Sequence, residues 1–410
     1  MAVATSLQRA QAGAHGFARW CAIALGASIP ISIAGDNILS ALILLAWLAG
    51  GRLRETVAQL RLNPAALTAL ALWAALAAGL AWGSRDPGDG IQMLGKYADL
   101  LLIPVFAALF THAPDRKRAL YAYLAAMGVT LALSCALAAG VLPERFFRPD
   151  APYPVVFKLW LTQNILMAIG AYLCWLFGRE ATNVRARAAW WVAAALASLN
   201  VLLLVPGRSG MLILGLFVLY AAWTWRGWRA LALVIVVGAA AAALAAVTLP
   251  TVTGRVAQIS TEARDWQPGQ PTWTSVGQRL EFYRVSLGLI AAHPLNGSGT
   301  GSFARVYREA VASTPLAPTR NPHNEYLLLG VQLGVGGVLL LVALWVALWR
   351  VAARLPPLER DLARGLVLAF AAGCLFNSLL LDHTEGLLFA WLAGIVAGAL
   401  PPRSSIWRRA

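Results

Sequence analysis

The run Arg320-Asn321-Pro322-His323-Asn324-Glu325-Tyr326-Leu327 closes the only long polar segment of an otherwise apolar chain. A histidine between a wet loop and a low-dielectric wall is a natural general base for a sugar hydroxyl. For a lone His at a helix start, capping or packing is the plainer role. Its neighbours favour chemistry: Asn324 is placed to orient the ring, Glu325 to stabilise its protonated form, and Pro322 to fix the approach of the chain. Glu325 in a first helical turn also suits the helix macrodipole. Among the other histidines, His112 lies near the inner end of its span, His293 precedes a proline, and His383 sits in Asp382-His-Thr-Glu-Gly386.

Cations supply the second kind of chemistry. Arg208, in Pro206-Gly207-Arg208-Ser209-Gly210, falls in a tight turn between two apolar runs. Either it snorkels to headgroups, or its guanidinium and the free amides of the next helix form an anion clamp suited to phosphate. Arg279 and Arg284 lie on a predicted loop helix, with Arg279 one turn before Tyr283. Arg145, Arg148 and Lys158 flank Pro149-Asp-Ala-Pro-Tyr-Pro154; they widen a cationic mouth or touch lipid phosphate. Gln163 and Asn164 are polar residues early in a span and are expected to line a cavity.

Several chemistries lack their residues. No DxD pair is present, and Asp86-Pro-Gly-Asp89 has the wrong spacing and sits in a turn, so a divalent-metal sugar transfer is disfavoured. There is no G-x-x-x-x-G-K-[ST] loop and no G-x-S-x-G elbow. Gly297-Ser-Gly-Thr-Gly301 has no strand before it, and its spacing fails for a dinucleotide loop. The four cysteines (Cys21, Cys135, Cys174, Cys374) fall in apolar runs without a CxxC pair, which supports neither a disulfide frame nor a zinc site. No cofactor and no metal are expected.

The elements that must position these residues are membrane helices. Charged residues are 12% of the chain, against about 25% in soluble domains, and hydrophobic residues are 59% with mean hydropathy +0.66. Alternating strand patterns are absent, so the expected fold is all-α, a polytopic helix bundle rather than a β-barrel. Twelve spans are predicted, near 18–34, 36–50, 64–83, 96–112, 119–141, 161–178, 189–206, 210–225, 230–249, 325–349, 363–381 and 385–400. The first two are joined at Gly35-Asp36-Asn37, and the first is read as a span rather than a removed signal. Three parts follow: residues 1–249 with nine transmembrane helices, a polar loop over 250–324, and residues 325–410 with three more helices and a C-terminal tail. Within the loop, Ser275 to Ala292 reads as a helix ended by His293-Pro294, Asn296 to Gly301 as a flexible turn, and Ser302 to Ala312 as a second short helix.

Of the 33 Lys and Arg, 20 fall on one set of connections and are opposed there by five acids, so the whole surplus of +15 lies on one face. The positive-inside rule makes that face cytoplasmic, puts both termini there, and turns the loop outward. The surplus is thereby a topology and anionic-lipid signal, with no basic–aromatic module for nucleic acid.

On these residues the chain resembles the bacterial O-antigen ligases, within the wider group that includes O-antigen polymerases. The features are His323-Asn324-x-x-Leu327 followed by Gly334-Val335-Gly336-Gly337, Arg208-x-x-x-Leu212 in a short turn, and Arg279 followed by His293-Pro294-Leu295-Asn296-Gly297-Ser298-Gly299. The likeness is dense over 200–345 and topological elsewhere. It implies a membrane-embedded, GT-C-type, metal-independent glycosyltransferase in the bacterial inner membrane, with a periplasmic active site. The donor would be O-antigen on undecaprenyl pyrophosphate and the acceptor a sugar of lipid A–core, with membrane lipids around and no nucleic-acid partner. His323 would be the base, and Arg208 and Arg279 the pyrophosphate clamps. The nearest rival is a polymerase joining carrier-linked repeat units; a ligase acting on protein is a third reading. A lipid or glycan transporter, from a different class, would want charged mid-span residues, and a membrane scaffold would give no reason for outward Arg at membrane depth.

Overall fold

The computed structural model describes residues 2–83, 87–143, 147, 153–248, 261–262 and 264–401. Among them the regular structure is helical throughout. In chain order the α-helices are α1 (Ala2–Ser28), α2 (Ile33–Ala49), α3 (Leu53–Leu60), α4 (Pro64–Gly79), α5 (Pro87–Lys96), α6 (Ile103–Leu109), α7 (Ala113–Ala138), α8 (Trp160–Glu180), α9 (Val184–Leu199), α10 (Arg208–Arg226), α11 (Trp228–Thr248), α12 (Ser275–Ala292), α13 (Phe303–Val311), α14 (Glu325–Ala352), α15 (Pro357–Gly373) and α16 (His383–Ala397).

Among the described residues, six helical stretches are long and apolar enough to cross a membrane: Pro64–Trp82, Ala113–Ala138, Trp160–Glu180, Val184–Leu204, Arg208–Arg226 and Glu325–Ala352. Two bent pairs, α2 with α3 (106°) and Gly88–Lys96 with Ala98–Leu109 (45°), raise the number to eight if each is one span. By length and composition, the described residues thus give six to eight spans where twelve were expected. The difference has local causes: α1 begins with a polar half, and α15 carries Glu359, Arg360, Asp361 and Arg364. Helix α16 has only 15 residues, yet Thr384 to Ala397 are all buried, so it is a core helix wrapped by its neighbours. At the opposite extreme, α11 leaves Leu233, Val236 and Val237 each more than half exposed, which suits a lipid-facing helix.

Two boundaries differ from expectation. The first turn lies at 29–32, around Pro30, rather than at Gly35-Asp36-Asn37. Proline stops α1, and Ser32 caps α2 by accepting from the Gly35 amide at 3.1 Å, which leaves Asp36 buried in the first turn. Helix α15 ends at Gly373, so residues 374–382 form a non-helical strap where a span was expected to continue to 381.

The segment expected to be a flexible turn, Asn296 to Gly301, is instead locked into the bundle. Helix α14 is broken at Gly334 (φ 65°, ψ −158°). A break inside an apolar helix frees backbone groups that must find partners. The Val331 and Gln332 carbonyls accept from the Ser298 and Gly299 amides, both at 2.8 Å, and the Val335 amide donates to the Pro294 carbonyl at 2.8 Å. The Gln332 side chain accepts from the Gly301 amide at 2.7 Å, and the Thr300 amide and hydroxyl reach the Gly79 and Leu76 carbonyls at 3.0 and 2.6 Å. Glycine is required for this approach: a Cβ on Gly299 would lie 2.2 Å from Gly83 Cα. The patch fixes the C-terminal end of α12, through Pro294, against α14.

At the arginine-rich end, α15 is held by a buried charge pair, Arg116–Glu359 at 2.8 Å, and by Asp361, buried and paired at 3.0 Å with the more exposed Arg179.

Gly334→Ala tests the patch. It places a Cβ 2.5 Å from the Pro294 carbonyl oxygen at a left-handed residue, which costs about 1–3 kcal/mol for the backbone alone. Thermal unfolding in detergent should fall by several degrees, whereas Gly336→Ala, whose nearest neighbour lies at 3.9 Å, should stay near wild type. Equal unfolding temperatures for the two variants would contradict the requirement.

Candidate active site

The turn that presents Arg208 is built on Asn164. Helix α9 ends in one π turn, Asn200–Leu204, which leaves carbonyls without helical partners. The Asn164 amide, fully buried in α8, donates to the Val201 and Val205 carbonyls. Its oxygen lies against Gly207 and Gly210; a Cβ on Gly210 would come within 1.7 Å of it. Asn164 is thus a latch beneath the turn rather than a cavity wall. Gly207 caps α10, so Arg208 opens that helix, where free amides and the positive end of the dipole favour an anion.

Helix α12 faces this turn. Its N-cap is Thr274, which accepts from the Gly277 amide at 3.1 Å. Val276, Arg279, Leu280 and Tyr283, spaced for one helical face, line a cavity of about 400 Å³ together with Arg208, Ser209, Leu212 and Phe376. No carboxylate is among these lining residues. Burial holds the Arg279 guanidinium below its usual range; the Arg208 charge lowers it further, and Tyr283 opposes the shift. Two guanidinium groups close enough to act on each other are turned to one cavity with apolar walls. Such a site prefers a doubly charged anion over neutral or cationic ligands.

His323 stands at the edge of the same arrangement. It is exposed, and its backbone is left-handed (φ 53°), uncommon outside glycine and found where surrounding bonds over-determine it. Here the His323 amide donates to Asn321 Oδ1 at 2.8 Å, and Asn321 Oδ1 also accepts from the Ser378 hydroxyl at 2.8 Å. The Tyr283 hydroxyl donates to the Leu375 carbonyl at 2.6 Å and reaches the His323 carbonyl at 3.4 Å. The imidazole packs on Phe282, with ring centroids 6.3 Å apart, and its Nδ1 lies 3.5 Å from Asn377 Oδ1. Tyr283 and Phe376 line the cation cavity, and their chain neighbours Phe282 and Asn377 hold the imidazole. The structure thereby brings His323, Arg208 and Arg279 around one junction of α12 with the 374–382 strap.

Other expected residues sit elsewhere. Asn324 does not orient the ring: its Oδ1 caps α14 by accepting from the Leu327 amide at 3.1 Å, and its Nδ2 donates to the Leu375 carbonyl at 3.0 Å. Glu325 is fully buried and faces away from the imidazole, because its carboxylate is bonded by the Tyr97 hydroxyl and by the Leu380 amide at 3.0 Å. It anchors the strap instead. Lys158 is buried against Asp36 (3.5 Å) and the Thr384 hydroxyl (3.2 Å), so it forms no mouth. Gln163 is buried and accepts from the Val156 amide at 2.8 Å, a wall contact inside the bundle. Arg284 pairs with Glu281 at 2.5 Å, on the other face of α12 from Arg279. Arg145 and Arg148 lie outside the described residues.

Three contributors were missed in the sequence. Phe376 and Asn377 fall in a run that reads as a helix continuing to 381, and Asp382 follows it. Burial pushes the Asp382 carboxyl up, while the charges of Lys96 and His323 pull it down, so it lies within electrostatic reach of the imidazole. The available signal was polarity: Asn377, Ser378 and Asp382 are out of place in a lipid-facing helix.

Residues 193–342 match the family model described as O-antigen ligase, a stretch holding Arg208, Arg279, His323 and the Gly334 break but not the 374–382 strap. No curated protein matches the chain. Over that stretch the chain is similar to the O-antigen ligase family, which is consistent with the ligase and polymerase superfamily that its sequence resembles.

Proposed function

We propose that this protein is an inverting, metal-independent glycosyltransferase that moves O-antigen polysaccharide from undecaprenyl pyrophosphate to a sugar hydroxyl of lipid A–core. The observation that carries the reading is the pair of guanidinium groups in one carboxylate-free, apolar-walled cavity, with an exposed imidazole held at its edge. The one-sided charge surplus supports a site on the periplasmic face of the inner membrane, with both termini in the cytoplasm.

The pyrophosphate of the donor lies between Arg208 and Arg279, and its lipid tail runs along the apolar wall of Leu212, Val276 and Leu280. With Asn377 Oδ1 accepting from Nδ1–H, the His323 imidazole presents Nε2 as the basic nitrogen. Nε2 takes the proton of the acceptor hydroxyl as that oxygen bonds to the anomeric carbon. The bond from the anomeric carbon to the phosphate oxygen breaks, and undecaprenyl pyrophosphate leaves with its charge matched by the two guanidinium groups. One in-line displacement inverts the anomeric centre. Asp382, which feels the His323 charge, offsets the imidazolium that forms.

Reconstitution with purified carrier-linked O-antigen and two alternative acceptors, lipid A–core and a second carrier-linked glycan, tests the assignment. Product on lipid A–core is expected; product only on the carrier-linked glycan would make the enzyme a polymerase. His323→Ala should lose about 10²–10⁴ in rate with unchanged thermal unfolding, since general-base help is of that size. Normal transfer by that variant would remove His323 from the chemistry. Arg208→Ala and Arg279→Ala should each raise the donor KM, and unchanged dependence on donor concentration would count against the clamp. Asn377→Ala should lower kcat roughly tenfold, the scale of one lost orienting hydrogen bond, with donor KM unmoved; a shift confined to donor KM would place Asn377 with the pyrophosphate instead.

A further inference from the structure

Helix α12 has a second chemical face. Gln278, Glu281 and Phe282, spaced opposite the cation-cavity face, line a separate pocket of about 210 Å³ with Trp273, Tyr307 and Thr319. This pocket is apart from the cation cavity yet shares its junction with the imidazole. Phe282 is the ring on which His323 packs, and the Thr319 hydroxyl donates to the Asn321 carbonyl at 3.0 Å, two residues from the base.

Pro271 and the segment Pro315 to Pro318 close one wall. Against it the pocket sets aromatic rings beside a carboxylate, an amide and a hydroxyl, a mix that suits a pyranose, whose C–H face stacks on a ring and whose rim exchanges hydrogen bonds. Phe282 and Tyr307 meet edge to face at 6.0 Å, with planes at 81°, so the two rings present differently oriented faces. Trp273 is 89% exposed, a large aromatic left open at the rim. Tyr307 is fully buried, and its hydroxyl has no hydrogen-bond partner. A buried hydroxyl in that condition costs free energy unless something bonds it. Burial and the Glu281 charge push this hydroxyl up to about 12, so it stays a neutral group able both to donate and to accept. The Glu281 carboxylate is held by Arg284 and by the Gly269 amide at 3.3 Å, which fixes it as part of the wall.

We infer that this pocket is the acceptor-sugar subsite: it binds the neutral pyranose whose hydroxyl is transferred to, on the opposite face of α12 from the pyrophosphate. The inference rests on the glycosyl-transfer reading above and extends it. The base must touch the acceptor hydroxyl, and the ring on which the imidazole packs, Phe282, lines this pocket, whereas Arg208 and Arg279 line the donor cavity. The subsite is sized for one sugar ring, so acceptor recognition is carried by the terminal residue of the acceptor glycan.

Two variants test it in proteoliposomes supplied with carrier-linked O-antigen and lipid A–core. Trp273→Ala removes an exposed ring, and Tyr307→Phe removes one hydroxyl while keeping the packing; both should unfold like wild type. Each should raise the acceptor KM roughly 5- to 20-fold, the scale of one stacked face or one hydrogen bond, with donor KM and kcat within about twofold. Delipidated core oligosaccharide, titrated without donor, should bind wild type and bind both variants more weakly. A rise in donor KM with acceptor KM unmoved would overturn the assignment, as would unchanged constants in both variants. If the wild type joins only carrier-linked glycans, the ligase reading fails but the same KM comparison with that acceptor still decides the subsite. If it transfers nothing, equal oligosaccharide binding by all three chains sinks the subsite on its own.

Discussion

The arrangement depends on a set of backbone hydrogen bonds across the break in α14 at Gly334. An interrupted helix in apolar surroundings exposes carbonyls and amides that water cannot reach, and here residues 294–301 supply the partners. The repair also positions the site. Because Pro294 directly follows α12 and its C-cap His293, bonding Pro294 to Val335 sets where α12 ends relative to α14. Arg279 and Tyr283 ride on α12, and His323 immediately precedes the Asn324 cap of α14. His323 and Arg279 are therefore spaced by a main-chain contact rather than by mobile side chains, which would suit chemistry that tolerates little misplacement.

Around that joint, charge is distributed by which face of α12 it occupies. One face turns Arg279 toward Arg208 in a cavity without carboxylates, while the other carries Glu281, which neutralises Arg284. Placing Arg279 and the ion-paired Arg284 five positions apart gives a single helix two electrostatic characters. Tyr283 joins the halves: it lines the cation cavity and bonds the strap that holds the imidazole. The remaining buried charges hold the scaffold. Glu325 with Tyr97, and Lys158 with Asp36, tie helices together and present nothing to a ligand.

Much of this was legible in the sequence, for reasons that can be named. The helical class followed from apolar length. Helix α12 from Ser275 to Ala292 followed from its hydroxyl start and its His-Pro stop; Arg208 and His323 stood out as polar groups at a membrane boundary, whereas Arg279, on a loop helix, was singled out by the resemblance. What stayed hidden depended on long-range contact. Asn296 to Gly301 has the composition of a flexible turn, and only its pairing with a broken helix makes it rigid. Asn324 and Glu325 follow His323 in sequence but rotate into a cap and a core bond, whereas Asn377, 54 residues away, meets the ring. Spans near 363–381 and 385–400 read as full crossings, yet one stops at Gly373 and the other is a short core helix.

In the proposed reaction, two guanidinium groups and one imidazole act on a single lipid-linked donor. The most direct measurement is a cryo-EM structure of the protein in lipid nanodiscs with undecaprenyl-pyrophosphate-linked glycan bound. Pyrophosphate density is expected between Arg208 and Arg279, with the first sugar reaching toward His323. Pyrophosphate seated at the arginine-rich opposite end of the bundle, or a first sugar pointing away from the imidazole, would contradict it.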